Sequence, residues 1–260
     1  MKIILESIAS ECQDGDIVVV SEKAISVALG RVVDEALIRP SFLAKVLARI
    51  WTRLGWGYFL GPLCRLRDKT LWRLRRYPIP QGEVHKQVAL QYAGFGQALL
   101  HYSEGGIDVT NLPYALVSLP LNNPDGVGQN IRKAIQEVLG KQVTVMITDT
   151  DKTYSRKGTH LTPRPGAVRG VRSLGIVAFI LGRTLRWTAR ATPLTVDGAS
   201  FSLEEALSAA EAADRARGHG AGRTAWDMAR RFRVELTGIT WEMLDSIGHY
   251  PIVLVRKLNE

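Results

Sequence analysis

The sequence has only two cysteines, Cys12 and Cys64, and they lie far apart in the chain. Disulfide frameworks and structural zinc sites need several cysteines or histidines at close spacing, so neither is expected. No apolar run reaches the roughly 20 residues that a membrane-spanning helix needs. The first residues lack a basic stretch followed by an apolar one, so we expect no signal peptide and a cytoplasmic protein.

Several familiar catalytic motifs are missing as well. The chain has no G-x-x-x-x-G-K-[ST] loop and no glycine-rich turn of the dinucleotide-binding type, so a nucleotide would have to bind without a P-loop. It has no G-x-S-x-G elbow, and its five histidines are scattered. Nucleophilic catalysis by serine or histidine therefore has no support in the sequence.

Positive charge is abundant and unevenly spread. The formal net charge is +9, which favours anionic partners. Between residues 39 and 76 the chain has ten lysines and arginines against a single acidic residue, Asp68. A second basic cluster contains Lys152, Arg156, Lys157, Arg164, Arg169 and Arg172.

The order of apolar patterns predicts a mixed α/β (α+β) fold, with residues 1–260 as a single domain. Residues 55–62 are predicted to end the first of two basic helices. The two helices together form a basic aromatic segment at about 39–77. The predicted helices cover 1–12, 41–54, 65–76, 88–100, 124–139 and 202–217. The predicted strands cover 17–20, 114–119, 143–147, 174–181 and 252–255.

Two loops combine carboxylates with hydroxyl or amide groups. The first is 106–111, with Asp108, Thr110 and Asn111, and the second is 148–150, where Asp149 follows the predicted strand 143–147. Hard divalent cations and nucleotide phosphates prefer such oxygen-rich sites. The alternative is that both are ordinary turns whose side chains bond their own backbone.

Several stretches resemble the coenzyme F420-0:L-glutamate ligase family, the γ-glutamyl ligases that extend this deazaflavin coenzyme. They follow in the family's order over most of the chain. The matching stretches are 14–26, 30–31, 106–111, 119–125, 131–132, 145–150 with Arg156, 182–183 and 251–256. The resemblance implies the family's fold and an intertwined homodimer.

The resemblance also implies an activity. The family forms an amide between a substrate carboxylate and L-glutamate, using GTP and two divalent ions, Mg or Mn, through an acyl phosphate. The acceptor, coenzyme F420-0, is a phosphorylated carboxylate. By similarity, Asp108 would bridge the metals, Asp149 would bind one and Thr150 the other. Nucleotide contacts would come from Ser21, Lys23 and Asn111, while Lys152, Arg156 and Lys157 would stabilise phosphate oxygens.

The sequence departs from the family's pattern at several positions. Val27 replaces a lysine, and Asp151-Lys152 replaces the usual Phe-Gly. The late metal-binding segment appears as 214–219, without its usual oxygen ligand, so Asp151 or His219 would have to substitute. The family's upstream nucleotide-binding segment is not expected, because the Gly-Asp turn comes near the first residue.

Two alternatives to this activity remain open. One is a ligase of the same fold with a different amine and carboxylate, and the other is a non-catalytic protein that binds anions on its basic surface. The segment 39–77 also has several interpretations: two helices with aromatic faces packed inward, a dimer interface, a substrate lid, or a membrane or RNA surface. We expect no nucleic-acid partner.

Overall fold

A mixed sheet of six strands lies at the centre of the computed structural model, which describes residues 1–102 and 104–256. In space the strands run β6-β5-β4-β1-β8, and β7 also pairs with β4. The two remaining strands, β2 and β3, form a small antiparallel sheet. The strands are β1 (Ile17–Ser21), β2 (Val32–Asp34), β3 (Leu116–Ser118), β4 (Thr144–Arg156), β5 (Thr159–Thr162), β6 (Arg172–Ser173), β7 (Thr188–Asp197) and β8 (Ile252–Val255).

Helices cover both faces of this sheet. In the described residues, none of them is long and apolar enough to cross a membrane. A short 3₁₀ turn covers Glu35–Leu37, and a π-helical stretch covers Leu47–Leu60. The α-helices are α1 (Lys2–Ile8), α2 (Glu22–Ala28), α3 (Phe42–Val46), α4 (Gly61–Leu63), α5 (Asp68–Arg75), α6 (Ile79–Tyr92), α7 (Phe95–Ala98), α8 (Pro124–Leu139), α9 (Ile176–Thr184), α10 (Leu203–Arg217), α11 (Ala225–Phe232) and α12 (Trp241–Asp245).

Strand β1 shows how the layers form. Its β-branched residues alternate between the two faces of the sheet, as extended backbone requires. Val18 and Val20 join a core cluster with residues of α1 and α8. Ile17 and Val19 pack on the opposite face, against the alanines of α10. Because both faces are covered, every residue of this strand is buried, which explains its continuous apolar sequence.

The mixed α/β fold predicted from the sequence is confirmed, and several elements lie where they were expected. The helix 124–139 begins at an Asn123 cap and ends at Gly140, whose φ of +66° is the left-handed conformation favoured there. The capping box of Ser202 and Glu205 starts α10. Strands β1 and β8 match the predicted strands 17–20 and 252–255.

Two predicted elements are wrong. Residues 55–62 do not end the helix, because α3 continues through the π-helical stretch into α4. Gly61 N donates to Trp56 O, five residues earlier. The predicted strand 174–181 is instead part of helix α9. A short apolar run is compatible with either structure. Helix α9 approaches β4 so closely that a Cβ at Gly182 would lie 2.1 Å from the Tyr154 ring.

Candidate active site

A cleft of about 690 Å³ opens at the carboxyl end of β1. Strand β1 runs parallel to the first half of β4 and pairs Ser21 with Thr148, so the end of β1 lies beside the middle of β4 at this cleft. Seven of the nine residues with a predicted role line the cleft: Ser21, Lys23, Asp108, Asn111, Asp149, Thr150 and Lys152.

Arg156 is not brought to this cleft. It lines a separate depression of about 440 Å³ with Lys157, Arg186 and Arg190. Strand β4 remains extended from Thr150 to Arg156, and six extended residues cover roughly 20 Å. The strand therefore carries Arg156 away from the oxygen-rich loops.

Asp149 and Thr150 lie at a bulge within β4. The prediction that Asp149 follows the end of its strand is wrong, since β4 continues to Arg156. Asp149 pairs with Thr192 of β7, and Lys152 pairs with the adjacent Ala191, so two additional residues are inserted in β4 between these pairs. Such bulges redirect side chains and often lie beside active sites. Here the bulge directs Thr150 to solvent at the cleft.

Asp108 lies in a tight polar turn. Its Oδ1 accepts hydrogen bonds from Thr110 N at 2.7 Å and from Thr110 Oγ1 at 2.8 Å, the local pattern that the turn interpretation predicts. Its Oδ2 forms an ion pair with Lys23, which also donates to Thr110 O. Burial alone would raise the pKa of Asp108, but Lys23 and the Thr110 donors outweigh it and lower that pKa. The local turn of 106–111 therefore also places Asp108 in the candidate site.

Arg164 connects the loop that carries Asp108 to the bulge that carries Asp149. Its side chain is 4% exposed, and its Nη2 donates to Glu22 Oε1 at 2.5 Å. Its Nε lies 2.7 Å from Asp149 Oδ2, and Nη1 donates to Gly105 O. A Cβ at Gly106 would lie 2.6 Å from the Arg164 guanidinium carbon, so only glycine fits there. This arginine therefore fixes the bulge of β4 against the loop that carries Asp108.

Glu22 is a buried residue behind the cleft that the sequence prediction missed. Its Oε1 accepts from Leu121 N at 2.8 Å as well as from Arg164. Burial, followed by the nearby Asp149 carboxylate, raises the pKa of Glu22 to about 7. Glu22 lies between the predicted Ser21 and Lys23, and Arg164 belongs to the second basic cluster. The predicted Ser21 and Lys23 and the second basic cluster were therefore signals near these residues in the sequence. Neither signal indicates that Glu22 contacts Arg164.

Lys152 is held by two carboxylates of α10. Its Nζ lies 3.0 Å from Glu211 Oε2 and 3.0 Å from Asp214 Oδ2. Asp214 also pairs with Arg217 at 2.5 Å. For both carboxyl groups burial would raise the pKa, but the cationic partners lower it. The late segment 214–219 therefore lines the cleft directly, and Arg215, Arg217 and Arg223 add positive charge there.

Asn111 anchors the loop that follows α10. Its backbone is left-handed, with φ of +52°, and its Oδ1 accepts from Ala221 N at 2.7 Å. A Cβ at Gly220 would lie 2.5 Å from Asn111 Oδ1 and 2.6 Å from His249 Nδ1. Asn111, predicted to contact the nucleotide, therefore also has a structural role. It fixes the loop after α10 as one wall of the cleft.

The other end of the cleft contains a buried charged network. His85 Nδ1 lies 2.6 Å from Glu35 Oε1, and His85 Nε2 lies 3.3 Å from Glu104 Oε2. Lys86 is fully buried and pairs with Glu104 at 2.7 Å. Burial alone would lower the pKa of His85, but the two glutamates outweigh it and raise that pKa to about 10. The imidazole is therefore positively charged at neutral pH. Aromatic side chains surround this end: Tyr77, Tyr102 and Trp226.

The oxygen donors suit a hard divalent ion in kind. Asp108, Asp149 and Thr150 supply carboxylate and hydroxyl oxygens to one cleft. Asp149 Oδ2 is buried and has no hydrogen-bond partner, only its ion pair with Arg164. Throughout residues 1–102 and 104–256, no group of three or more His, Cys, Asp or Glu side chains is arranged to hold a metal. The three residues predicted as ligands thus offer two carboxylates and a hydroxyl.

Comparisons with known proteins give one matching family and several similar proteins. The model of the family described as F420-0:Gamma-glutamyl ligase matches residues 1–197. An uncharacterized protein of Methanocaldococcus jannaschii is 33% identical over 271 residues, covering 99% of this chain and 91% of that protein. The coenzyme F420:L-glutamate ligase of Archaeoglobus fulgidus is 31% identical over 147 residues. The enzyme of that name from M. jannaschii is 30% identical over 146 residues. The chain spans about half the length of these two ligases, 52% in each case.

Proposed function

Because the chain belongs to the F420-0:gamma-glutamyl ligase family, we propose that it is a ligase that adds L-glutamate to coenzyme F420-0, a phosphorylated carboxylate, with GTP and a divalent metal. One observation carries the proposal: a single cleft combines Asp108, Asp149 and Thr150 with the cations Lys23 and Lys152. Anions of substrate and nucleotide need such cations, and a divalent ion needs such oxygens.

The reaction proceeds in two balanced steps. The terminal phosphoryl group of GTP passes to the substrate carboxylate, and GDP leaves. The amino group of L-glutamate then attacks the acyl phosphate, an amide bond forms, and inorganic phosphate departs with the released proton taken up by a base or solvent. Both steps depend mainly on positioning and on neutralising phosphate charge.

The acidic residues would hold Mg or Mn. Asp108, Asp149 and Thr150 would supply the carboxylate and hydroxyl oxygens that hold it. When bound, a divalent ion neutralises phosphate oxygens and orients them for displacement. Lys23 pairs with Asp108 and Arg164 pairs with Asp149, and these contacts hold the two carboxylates in place.

The cations of the cleft would bind the nucleotide phosphates. Lys152 lies in β4 at the end of the bulge and pairs with two carboxylates of α10. Ser21, Lys23 and Asn111 line the same cleft. In such a site lysine acts as a point charge on phosphate oxygens. The homodimer implied by the resemblance is part of the proposal, and light scattering tests it.

A second candidate is a ligase of the same fold with a different amine or carboxylate substrate. The match to the two F420 ligases covers 56% of this chain, whereas the match to the uncharacterized relative covers 99%. The end of the cleft beside His85 and Glu35 is built from α6 and the 3₁₀ turn, next to the basic segment that differs from the family's pattern. The walls of a cleft determine which substrate it binds. This end of the cleft therefore supports the second candidate.

Calorimetric titration tests the shared part of both candidates. The protein is titrated with GTP, and then with ATP, with and without Mn. We expect binding of GTP that requires the metal and that Asp149→Asn weakens by at least about tenfold, or about 1.4 kcal/mol. Asp245→Asn, an exposed carboxylate that does not line the cleft, is the matched control. Absence of nucleotide binding in the presence of Mn would contradict both candidates.

Turnover separates the two candidates. Incubation with coenzyme F420-0, L-glutamate, GTP and Mn should give the glutamylated coenzyme, detected by mass spectrometry, together with GDP. Metal-dependent nucleotide binding without this product would refute the first candidate and leave the second. Glu22→Gln, which removes a carboxyl group with a pKa near neutrality, should alter the pH profile of turnover.

A further inference from the structure

The continuous helix 42–63 has an inner face that is completely covered. Ala44, Ala48, Thr52, Trp56 and Gly61 are all buried, and they recur every four or five residues. This spacing follows the wider turn of the π-helical stretch, which has more residues per turn than an α-helix. The inner face packs towards α5 and α6 and contributes Trp56 to a core cluster with Cys64 and Leu74.

The outer face of the same helix is apolar as well, but nothing in the described chain covers it. Phe59 is 72% exposed, and Ile50 and Leu63 are each 56% exposed. We call this face the outer stripe, and it consists of Ile50, Leu54, Tyr58, Phe59 and Leu63. A helix that is apolar all round is normally covered all round. Contiguous exposed apolar surface marks an interaction site.

The surroundings of the outer stripe are strongly basic. Ten lysines and arginines lie between residues 39 and 76, against Asp68 alone. Arg75 lies over the Tyr58 ring at 4.7 Å, and Arg76 lies over the Trp72 ring at 4.5 Å. The exposed members of this basic set are Arg39, Lys45, Arg49, Arg65, Arg67, Lys69, Arg75 and Arg76.

We propose that the outer stripe and its basic border bind the surface of an anionic lipid bilayer. The aliphatic and aromatic side chains would enter the boundary between headgroups and acyl chains, and the arginines and lysines would contact lipid phosphates. A helix that lies in this interface combines an apolar face with Lys and Arg, as this one does. Tyr58 and Trp72, each beside an arginine, are side chains that favour the interfacial region.

Charge and side-chain type argue against other occupants. A second copy of the chain, docked face to face, would bring two basic borders together at the cost of like-charge repulsion. Single-stranded nucleic acid stacks its bases on aromatic rings. Ile50, Leu54 and Leu63 offer no ring for stacking, whereas acyl chains accept aliphatic side chains readily.

Vesicle sedimentation tests the proposal. The full-length protein is mixed with vesicles of phosphatidylcholine alone, or of phosphatidylcholine with phosphatidylglycerol. We expect binding to the anionic vesicles to exceed binding to the neutral ones by roughly tenfold or more, and to fall as salt is added. The double variant Leu54→Ser/Phe59→Ser should lose roughly tenfold in binding, since it removes buried apolar area.

Two further variants keep the result interpretable. Val138→Ser/Tyr250→Ser removes equally exposed apolar side chains, 65% and 67% exposed, from outside the segment 42–76, and it should bind like the wild type. Arg65→Gln/Arg67→Gln should lose the preference for phosphatidylglycerol without changing the fold, because both side chains belong to exposed residues. Circular dichroism confirms that each variant is folded.

Three outcomes would overturn the proposal. The first is equal sedimentation with and without phosphatidylglycerol, or equal sedimentation of Leu54→Ser/Phe59→Ser and the wild type. The second is a change from dimer to monomer in that variant by light scattering, which would assign the stripe to a second copy. The third is binding of single-stranded RNA that the same variant loses while vesicle binding persists.

Discussion

Arg164 determines the arrangement of the acidic side of the cleft. It contacts Glu22, which is 142 residues earlier in the chain, and Asp149, on the neighbouring bulge. The sequence shows Arg164 only as one member of a basic cluster, because the folded sheet creates its partners. Asp108 and Asp149 were accessible from the sequence, since short polar loops beside apolar strands are local features. Their ion pairs were not.

Gly106→Ala tests the fit around Arg164. The new Cβ would overlap the guanidinium, and the φ of +92° is already unfavourable for alanine. We expect the free energy of unfolding to fall by about 2–3 kcal/mol in urea denaturation. Gly140→Ala is the control, since its φ is +66° but no atom lies within 4 Å of its Cβ, and it should cost only about 1 kcal/mol. Equal losses in the two variants would show that the contact with Arg164 is unimportant.

Among the elements, local signals predicted those with distinct ends. Helix α10 has a capping box and α8 has an asparagine cap and a terminal glycine, and both were predicted with nearly correct bounds. The helix 42–63 and α9 were not. Gly55 and Gly57 resemble breakers, yet a Cβ at Gly57 would lie 3.1 Å from Arg75 Cγ, so this glycine permits close packing against α5. Tertiary contact overrides local preference at these positions.

The cap of α10 gives a prediction at the scale of one element. In Ser202→Ala the backbone N–H of Glu205 loses its acceptor, and the Glu205 carboxylate loses the Ser202 hydroxyl. The free energy of unfolding should fall by about 1 kcal/mol, measured by urea denaturation. Ser208→Ala removes an exposed hydroxyl that bonds Glu204 O within the same helix, and it should change stability by no more than about 0.5 kcal/mol. A cap variant as stable as this control would contradict the assignment.

For the molecule as a whole, the sequence predicted the mixed sheet and the meeting of its loops more accurately than the walls of the cleft. The parallel pairing of β1 with the first half of β4 brings Ser21 and Lys23 close to Asp149 and Thr150. The polar loop with Asp108 and Asn111 lines the same cleft. The wall around His85 depends on contacts between α6, the 3₁₀ turn and the loop with Glu104, and no periodic pattern indicates them. Arg156 was misplaced because β4 continues beyond the bulge.

The network around His85 links global stability to pH. The pKa of His85 is about 10 in the folded protein and about 6.5 when unfolded, so its contribution is complete below pH 6.5 and is lost as pH rises through about 10. The stability difference between wild type and His85→Gln should therefore shrink between pH 6.5 and 10, by at least about 1 kcal/mol. Denaturation in urea across this range measures it.

His249→Gln is the control for this pH series. Burial lowers the pKa of His249, so this group changes its contribution only below pH 6.5. Its difference from wild type should stay constant between pH 6.5 and 10. A constant difference for His85→Gln as well would mean that His85 is not held in its charged form by Glu35 and Glu104.

The position of β1 in the sheet also matters while the chain is being made. Ile17 pairs with Thr144 and Val20 pairs with Ile252, so neither neighbour of β1 exists when this apolar strand leaves the ribosome. Both of its edges stay unpaired until β4 and β8 have been made, and unpaired apolar edges promote aggregation. Chaperones that shield nascent segments should therefore raise the yield of folded protein.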